Sequence, residues 1–200
     1  MRNTFDRHRG RWFFLFLVLL SAALGIGAAS ASRPTNWAQP VVTPDVPNLF
    51  QVSPTLYRSA QPGAAGMREL KKLGIKTVVN LRSFHSDADI LADTGLAVEA
   101  IPTTAWGLTE ADAVRFLKIA VDTAKTPILV HCQHGADRTG ALVAVYRLAV
   151  QGWTKEEAIR EMTDGGYGFH AVWANLIVWI KELDVERLRR EAGLAAISAS

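Results

Sequence analysis

Cysteine is nearly absent from this chain: Cys132 is the one thiol in 200 residues. A single thiol closes no internal disulfide, and in an oxidising compartment it stays free and open to sulfenic acid formation. A cysteine-rich zinc site is excluded as well. His131, Cys132 and His134 are all ligand types, but immediate sequence adjacency does not by itself point them at one ion. The lysine and the longer glycine spacing of a nucleotide-binding phosphate loop are missing. A basic face is missing too. The net charge is +3, yet residues 1–31 carry four arginines and one aspartate, so the remaining chain holds equal numbers of each sign. Without a basic face bearing stacking aromatics, nucleic acid is not expected as a partner. There is no internal repeat.

The long apolar run lies at one end. Arg2, Arg7, Arg9 and Arg11 precede the stretch from Trp12 to Ala29, and Ala29-Ser30-Ala31 offers a small-residue cleavage pattern. Residues 1–31 are therefore a signal peptide or an N-terminal membrane anchor, the run being close to the lower length limit of a span. Basic residues ahead of such a run remain cytoplasmic. The rest of the chain is then exported, either periplasmic or anchored in the inner membrane with its domain outside the cytoplasm. Contact with the membrane would be made through the N-terminal segment alone.

From residue 32 to 51, Pro34, Pro40, Pro44 and Pro47 break any periodicity, which predicts a linker or an arm laid over a domain. The domain itself is placed at 52–190, with a tail at 191–200. Strand-like runs at Thr55 to Arg58, Lys76 to Leu81, Ala97 to Ile101 and Ile128 to His131 alternate with helical ones at Gly66 to Leu73, Thr109 to Thr123 and Ala141 to Val150. Further helices are expected at Thr154 to Met162 and Ala171 to Leu188. In the last of these, Val172, Leu176, Trp179 and Leu183 form a ridge that reads as core packing. The pattern predicts an α/β fold, a single domain with a central, mostly parallel sheet of four or five strands flanked by helices.

The chemistry is concentrated in His131-Cys132-Gln133-His134-Gly135-Ala136-Asp137-Arg138-Thr139-Gly140. An apolar strand precedes this run and an apolar helix follows it. Backbone N–H groups in such a turn converge on a helix N-terminus and can surround a phosphate or another oxyanion, while the Arg138 guanidinium offers a planar fork to two oxygens. The same field favours the thiolate of Cys132, which is the nucleophilic form. A lone cysteine after a strand is often just a small core residue; here it does not stand alone.

The segment from His131 to Gly140 resembles the signature of the cysteine-dependent protein tyrosine and dual-specificity phosphatases, a histidine and cysteine followed by five residues, arginine, serine or threonine, and glycine. Leu56-Tyr57-Arg58-Ser59-Ala60-Gln61-Pro62 and Val79-Asn80-Leu81-Arg82 resemble segments of the compact bacterial and plant-type members. The resemblance implies a dual-specificity phosphatase-like fold and gives each residue a role. Cys132 would attack phosphorus and form a phosphocysteine, Arg138 would bind the equatorial oxygens, and Thr139 would hydrogen-bond to the thiolate. The backbone of Gln133, His134, Gly135, Ala136, Asp137 and Arg138 would complete the cradle, and His131 would support it from below. No metal or other cofactor is implied.

One part of the family pattern is missing. Relatives place an aspartate on the loop after the third strand to protonate the leaving oxygen, whereas Ile101 to Thr109 contains no carboxylate. Glu110 and Asp112 follow as candidate acids, although Thr109 with Asp112 also resembles a capping box and acidic residues suit a first helical turn. Asp87, Asp89 and Asp137 are weaker candidates. Trp106 either stacks on a substrate ring or plugs its loop against the core. The Gly165 to His170 segment is either a tight connector or a border of the pocket.

The leading expectation is a phosphatase acting on phosphotyrosine in a protein or peptide, with phosphoserine or phosphothreonine as further substrates. A catalytically silent phosphate-binding module is the alternative the bare loop favours. Hydrolysis of phosphoinositides or inositol phosphates ranks third, because highly charged substrates call for extra lysines near the cradle and the loop instead carries Asp137.

Overall fold

The computed structural model describes residues 32–91 and 93–195. The segment read as a signal peptide or anchor lies outside the described residues. Among those described, no helix is long and apolar enough to cross a membrane.

The chain runs β1 (Gln39–Pro40), β2 (Phe50–Ser53), β3 (Leu56–Ser59), α1 (Ala64–Lys72), β4 (Thr77–Arg82), α2 (Ala88–Leu91), β5 (Ala97–Thr103), α3 (Glu110–Ala120), β6 (Ile128–His131), α4 (Asp137–Gln151) and α5 (Lys155–Asp164). A 3-10 turn (Ala171–Trp173) then leads into α6 (Ala174–Glu182) and α7 (Val185–Ala192). The sheet order is β1-β2-β3-β6-β4-β5. Strands β3, β6, β4 and β5 are parallel, and β1 and β2 add an antiparallel edge.

The sheet is thus mixed and six-stranded rather than four- or five-stranded. The extra strand is two residues long and contains Pro40, so it leaves no alternating pattern to read. The segment leading to β2 packs as it pairs: Ala38, Val46 and Leu49 are all buried.

Alternation along the inner strands divides the core. On β6, Leu129 faces a cluster with Met67, Leu70 and Leu91 of α1 and α2, while Ile128 and Val130 face the larger cluster of α3 to α7. This period of two puts helices on both faces of β6, all four residues of which are buried. The C-terminal helical run is broken where one continuous helix was expected. Leu183 leaves the helical region and the Asp184 side chain caps α7 by accepting from the Arg187 amide at 2.9 Å. Leu176 and Leu183 are buried as expected and Trp179 packs partly, but Val172 is 77% exposed, because it sits in the 3-10 turn, whose three-residue period carries it off the buried face.

Candidate active site

Cys132 to Ala136 form the turn between β6 and α4, at the carboxyl ends of the parallel strands, the end of an open α/β sheet where ligands bind. The turn is wrapped against β3. Gly135 has φ +70°, and a Cβ there would lie 2.4 Å from the carbonyl carbon and oxygen of Ser59. Only glycine satisfies both conditions.

The loop's carbonyls are held from outside. The oxygen of Gln133 accepts from the Gln61 amide at 3.2 Å, that of His134 from Asn48 Nδ2 at 2.9 Å, and that of Gly135 from Arg58 Nη2 at 2.6 Å. In a planar trans peptide the N–H points opposite to the C=O, so fixing these oxygens toward the scaffold turns the amides of His134, Gly135 and Ala136 the other way. Those amides have no acceptor among the described residues. Together with the first amides of α4 they make an oxyanion cradle.

Arg138 closes the cradle. Its Nη1 donates to the carbonyls of Leu81 at 3.1 Å and Thr103 at 2.8 Å, at the ends of β4 and β5, which fixes the guanidinium and leaves its remaining N–H groups for an oxyanion. Cys132 is 2% exposed at the base. The Thr139 hydroxyl is buried with no partner among the described residues, which suits the expected donation to a thiolate.

Beneath the cradle, sequence points to His131 as a support, and the structure adds Arg58 and Tyr167 to it. Asp87, weighed above as a weak proton donor, is buried and its carboxylate contacts His131 Nε2 at 2.9 Å and Gln61 Nε2 at 2.8 Å. Burial pushes its pKa up, but the bond and charge of His131, with help from Gln61 and His85, hold it below the ordinary carboxylate value. Asp87 is therefore a fixed anion that orients His131, whose Nδ1 lies 3.2 Å from the Cys132 carbonyl oxygen. Arg58 is also fully buried, with its guanidinium 3.6 Å from the centre of the Tyr167 ring. The Gly165 to His170 connector thus serves the site in two ways: Tyr167 packs under Arg58, and His170 bonds to Asp137, both its amide and its ring Nδ1 lying 2.9 Å from that carboxylate.

Above the cradle is a cavity of about 370 Å³ bordered by Arg82, Phe84, Trp106, His134, Asp137, Arg138 and Trp173. Trp106 is not a core plug: it is 73% exposed, and its ring centre is 5.7 Å from that of Trp173. The acid candidates sit elsewhere. Glu110 is paired with Arg187 of α7, and Asp112 completes the capping box with Thr109, accepting from its amide at 3.0 Å and its hydroxyl at 2.7 Å. Neither borders the cavity. Asp89 is exposed in the first turn of α2, and only Asp137 of the five carboxylates lies on the wall.

A cysteine at the floor of an amide cradle, with an arginine across it and a helix dipole behind it, is built to take a phosphoryl group onto sulfur. Comparison with known proteins agrees. A family model described as DSP-PTPase phosphatase fused to NAD+ kinase matches residues 46–168. Dual specificity protein phosphatase TpbA of Pseudomonas aeruginosa is 38% identical over 174 residues, 86% of this chain and 78% of that one. A crystal structure of P. aeruginosa TpbA superposes with a TM-score of 0.73 at 36% identity, covering 81% of this chain and 99% of that one. A cysteine-to-serine variant of the same protein, in complex with pTyr, gives 0.73 at 35% identity over 82% of this chain and 100% of that one. The chain belongs to the DSP-PTPase family of cysteine-dependent protein phosphatases.

Proposed function

We propose that this phosphatase acts by preference on phosphotyrosine in proteins or peptides. The observation that carries the reading is the aromatic rim: Phe84, Trp106 and Trp173 border the cavity whose floor is the cradle. A phenol ring entering with its phosphate on Arg138 fits between such faces, and the solved complex of the P. aeruginosa relative with pTyr supports the same choice. Cys132 Sγ attacks phosphorus as the phenolate oxygen departs, leaving a phosphocysteine that water then hydrolyses to phosphate. Arg138 and the amides hold the equatorial oxygens, where charge spreads in the transition state. Phenolate is a good leaving group, so a rim loop without a carboxylate costs this substrate least.

Hydrolysis of inositol phosphates fits less well, because Arg82 and Arg138 are the two cations on the cavity wall and Asp137 opposes them. A silent module fits less well than an enzyme, since cysteine, arginine and threonine are all in place. The test is hydrolysis of an aryl phosphate by the purified full-length chain without added metal, the thiolate and arginine doing what metal ions do elsewhere. Cys132→Ser should abolish turnover and keep phosphate binding, and Arg138→Ala should weaken both. Metal-dependent turnover that survives Cys132→Ser would sink the mechanism.

The arginine-flanked apolar run at Arg11 to Ala29 supports an exported catalytic domain. A reporter active only outside the cytoplasm, fused after Ser200, should give signal. Signal from a cytoplasmic reporter alone would reject export.

A further inference from the structure

We propose that His134, Asp137 and His170 form a binding site for a divalent transition-metal ion of the zinc class on the rim of the phosphate cradle. Among the described residues these three offer ligand atoms that all lie within 4.8 Å of one another. They reach one point from two places in the chain: His134 and Asp137 flank Gly135 and Ala136 on the loop, and His170 returns from the connector after α5. Two imidazoles and a carboxylate are a donor set that suits zinc and its neighbours, with coordination positions left for water or an anion.

The geometry needs little adjustment. His170 Nδ1 already lies 2.9 Å from Asp137 Oδ2, and ligands about 2.0 to 2.1 Å from a tetrahedral ion stand roughly 3.3 Å apart, so an ion can take the place of the shared proton while the ring carries its hydrogen on Nε2. Both elements are braced for this. The His170 amide donates to Asp137 Oδ1 at 2.9 Å, and Asn48 Nδ2 holds the His134 carbonyl at 2.9 Å, while the exposed His134 ring has its centre 5.3 Å from that of His170. Gly166 and Gly168 take φ of +74° and +82°, conformations that let the connector double back and present His170. Because His134 and Asp137 also border the cavity, the bound ion would lie beside the space that the phosphoryl oxygens occupy. Catalysis at Cys132 calls for no ion, so this site is additional to the reaction and is read by binding rather than by turnover.

The competing position for a soft divalent ion is the Cys132 thiolate, and the experiment separates the two. Cobalt(II) is titrated into the metal-free full-length chain in detergent, followed by zinc as displacer, and zinc affinity is measured by calorimetry. The expected result is one equivalent of cobalt with visible ligand-field bands, no near-ultraviolet thiolate charge-transfer band, and displacement by zinc. Cys132→Ser should keep that spectrum and affinity, and His170→Ala should weaken zinc at least about tenfold. A charge-transfer band that vanishes in Cys132→Ser would place the ion on sulfur and overturn the proposal. Undiminished affinity in His170→Ala, or no binding by the unaltered chain, would also overturn it. Should His170→Ala fail to fold, the spectrum of the unaltered chain still decides, because imidazole and carboxylate ligands give no such band.

Discussion

Asp87 Oδ2 and His131 Nε2 meet at 2.9 Å in the buried floor under the nucleophile, joining the start of α2 to the end of β6. Desolvation alone would raise the carboxyl pKa; His131, then Gln61 and His85, reverse that and leave it lowered. A carboxyl depressed in the folded state contributes stability that is present above its unfolded pKa of about 3.9 and is lost as the pH falls through the lower folded value. Asp87→Ala should therefore cost about 1–3 kcal/mol at pH 7, the penalty of an unsatisfied buried ring nitrogen. The gap between variant and parent should narrow below about pH 4. Urea unfolding at pH 7 and pH 3 reads both, and an equal gap at the two pH values would contradict the assignment.

Arg58 makes a different prediction, since its value to the protein lies in the loop rather than in stability. Burial drags its pKa down to about 10, opposed by Tyr167, Glu161 and Cys132, so it stays charged at neutral pH. Two of its guanidinium nitrogens, Nε and Nη1, are buried with no partner among the described residues, so an apolar chain of similar length forfeits little there. Arg58→Met removes the donor to the Gly135 carbonyl and the positive charge felt by Cys132. Loss of a charged hydrogen bond predicts a fall in kcat of about tenfold or more with a small change in Tm. Unchanged kcat on an aryl phosphate would remove Arg58 from the support of the cradle.

The aromatic rim should set selectivity. Phe84 is fully exposed with φ +58°, an uncommon backbone for a bulky residue, and it sits at the mouth beside Trp106. Each aromatic contact is worth about 0.5–1.5 kcal/mol beyond burial, so Trp106→Ala and Phe84→Gly should each raise KM for a phosphotyrosine peptide roughly 2- to 10-fold. A phosphoserine peptide should be affected far less. Equal losses on both peptides would mean that the rim does not read the ring.

What the sequence carried was local. Cys132 to Thr139 lie within one strand-to-helix turn, and Thr109 and Asp112 are three residues apart, so spacing alone exposes both the cradle and the capping box. The scaffold that aims the cradle is not local. Arg58 reaches Gly135 across 77 residues, Asn48 reaches His134 across 86, and Asp87 reaches His131 across 44, and no periodicity encodes such pairings. Arg58 did leave a trace, as a charged residue within a short strand-like run. The break between α6 and α7 was hidden for another reason: no glycine or proline marks it, and the one signal is Asp184 in the capping position.

The proton donor is the sharpest test of the chemistry at this site. Glu110 pairs with Arg187 and Asp112 closes the capping box, so both carboxylates have structural partners away from the cavity. A true general acid would, on neutral replacement, flatten the basic limb of the pH profile and slow poor leaving groups far more than good ones, because only the former need a proton in the transition state. Glu110→Gln and Asp112→Asn should do neither. Asp112→Asn should instead cost on the order of 1 kcal/mol of stability, as expected for weakening a helix cap, and leave the ratio of alkyl to activated aryl phosphate turnover where it was. In the parent enzyme that ratio should already favour the aryl substrate strongly, since no carboxylate stands on the loop from Thr103 to Leu108. A selective collapse of alkyl phosphate turnover in either variant would return that residue to the role of acid and require α3 to move during the reaction.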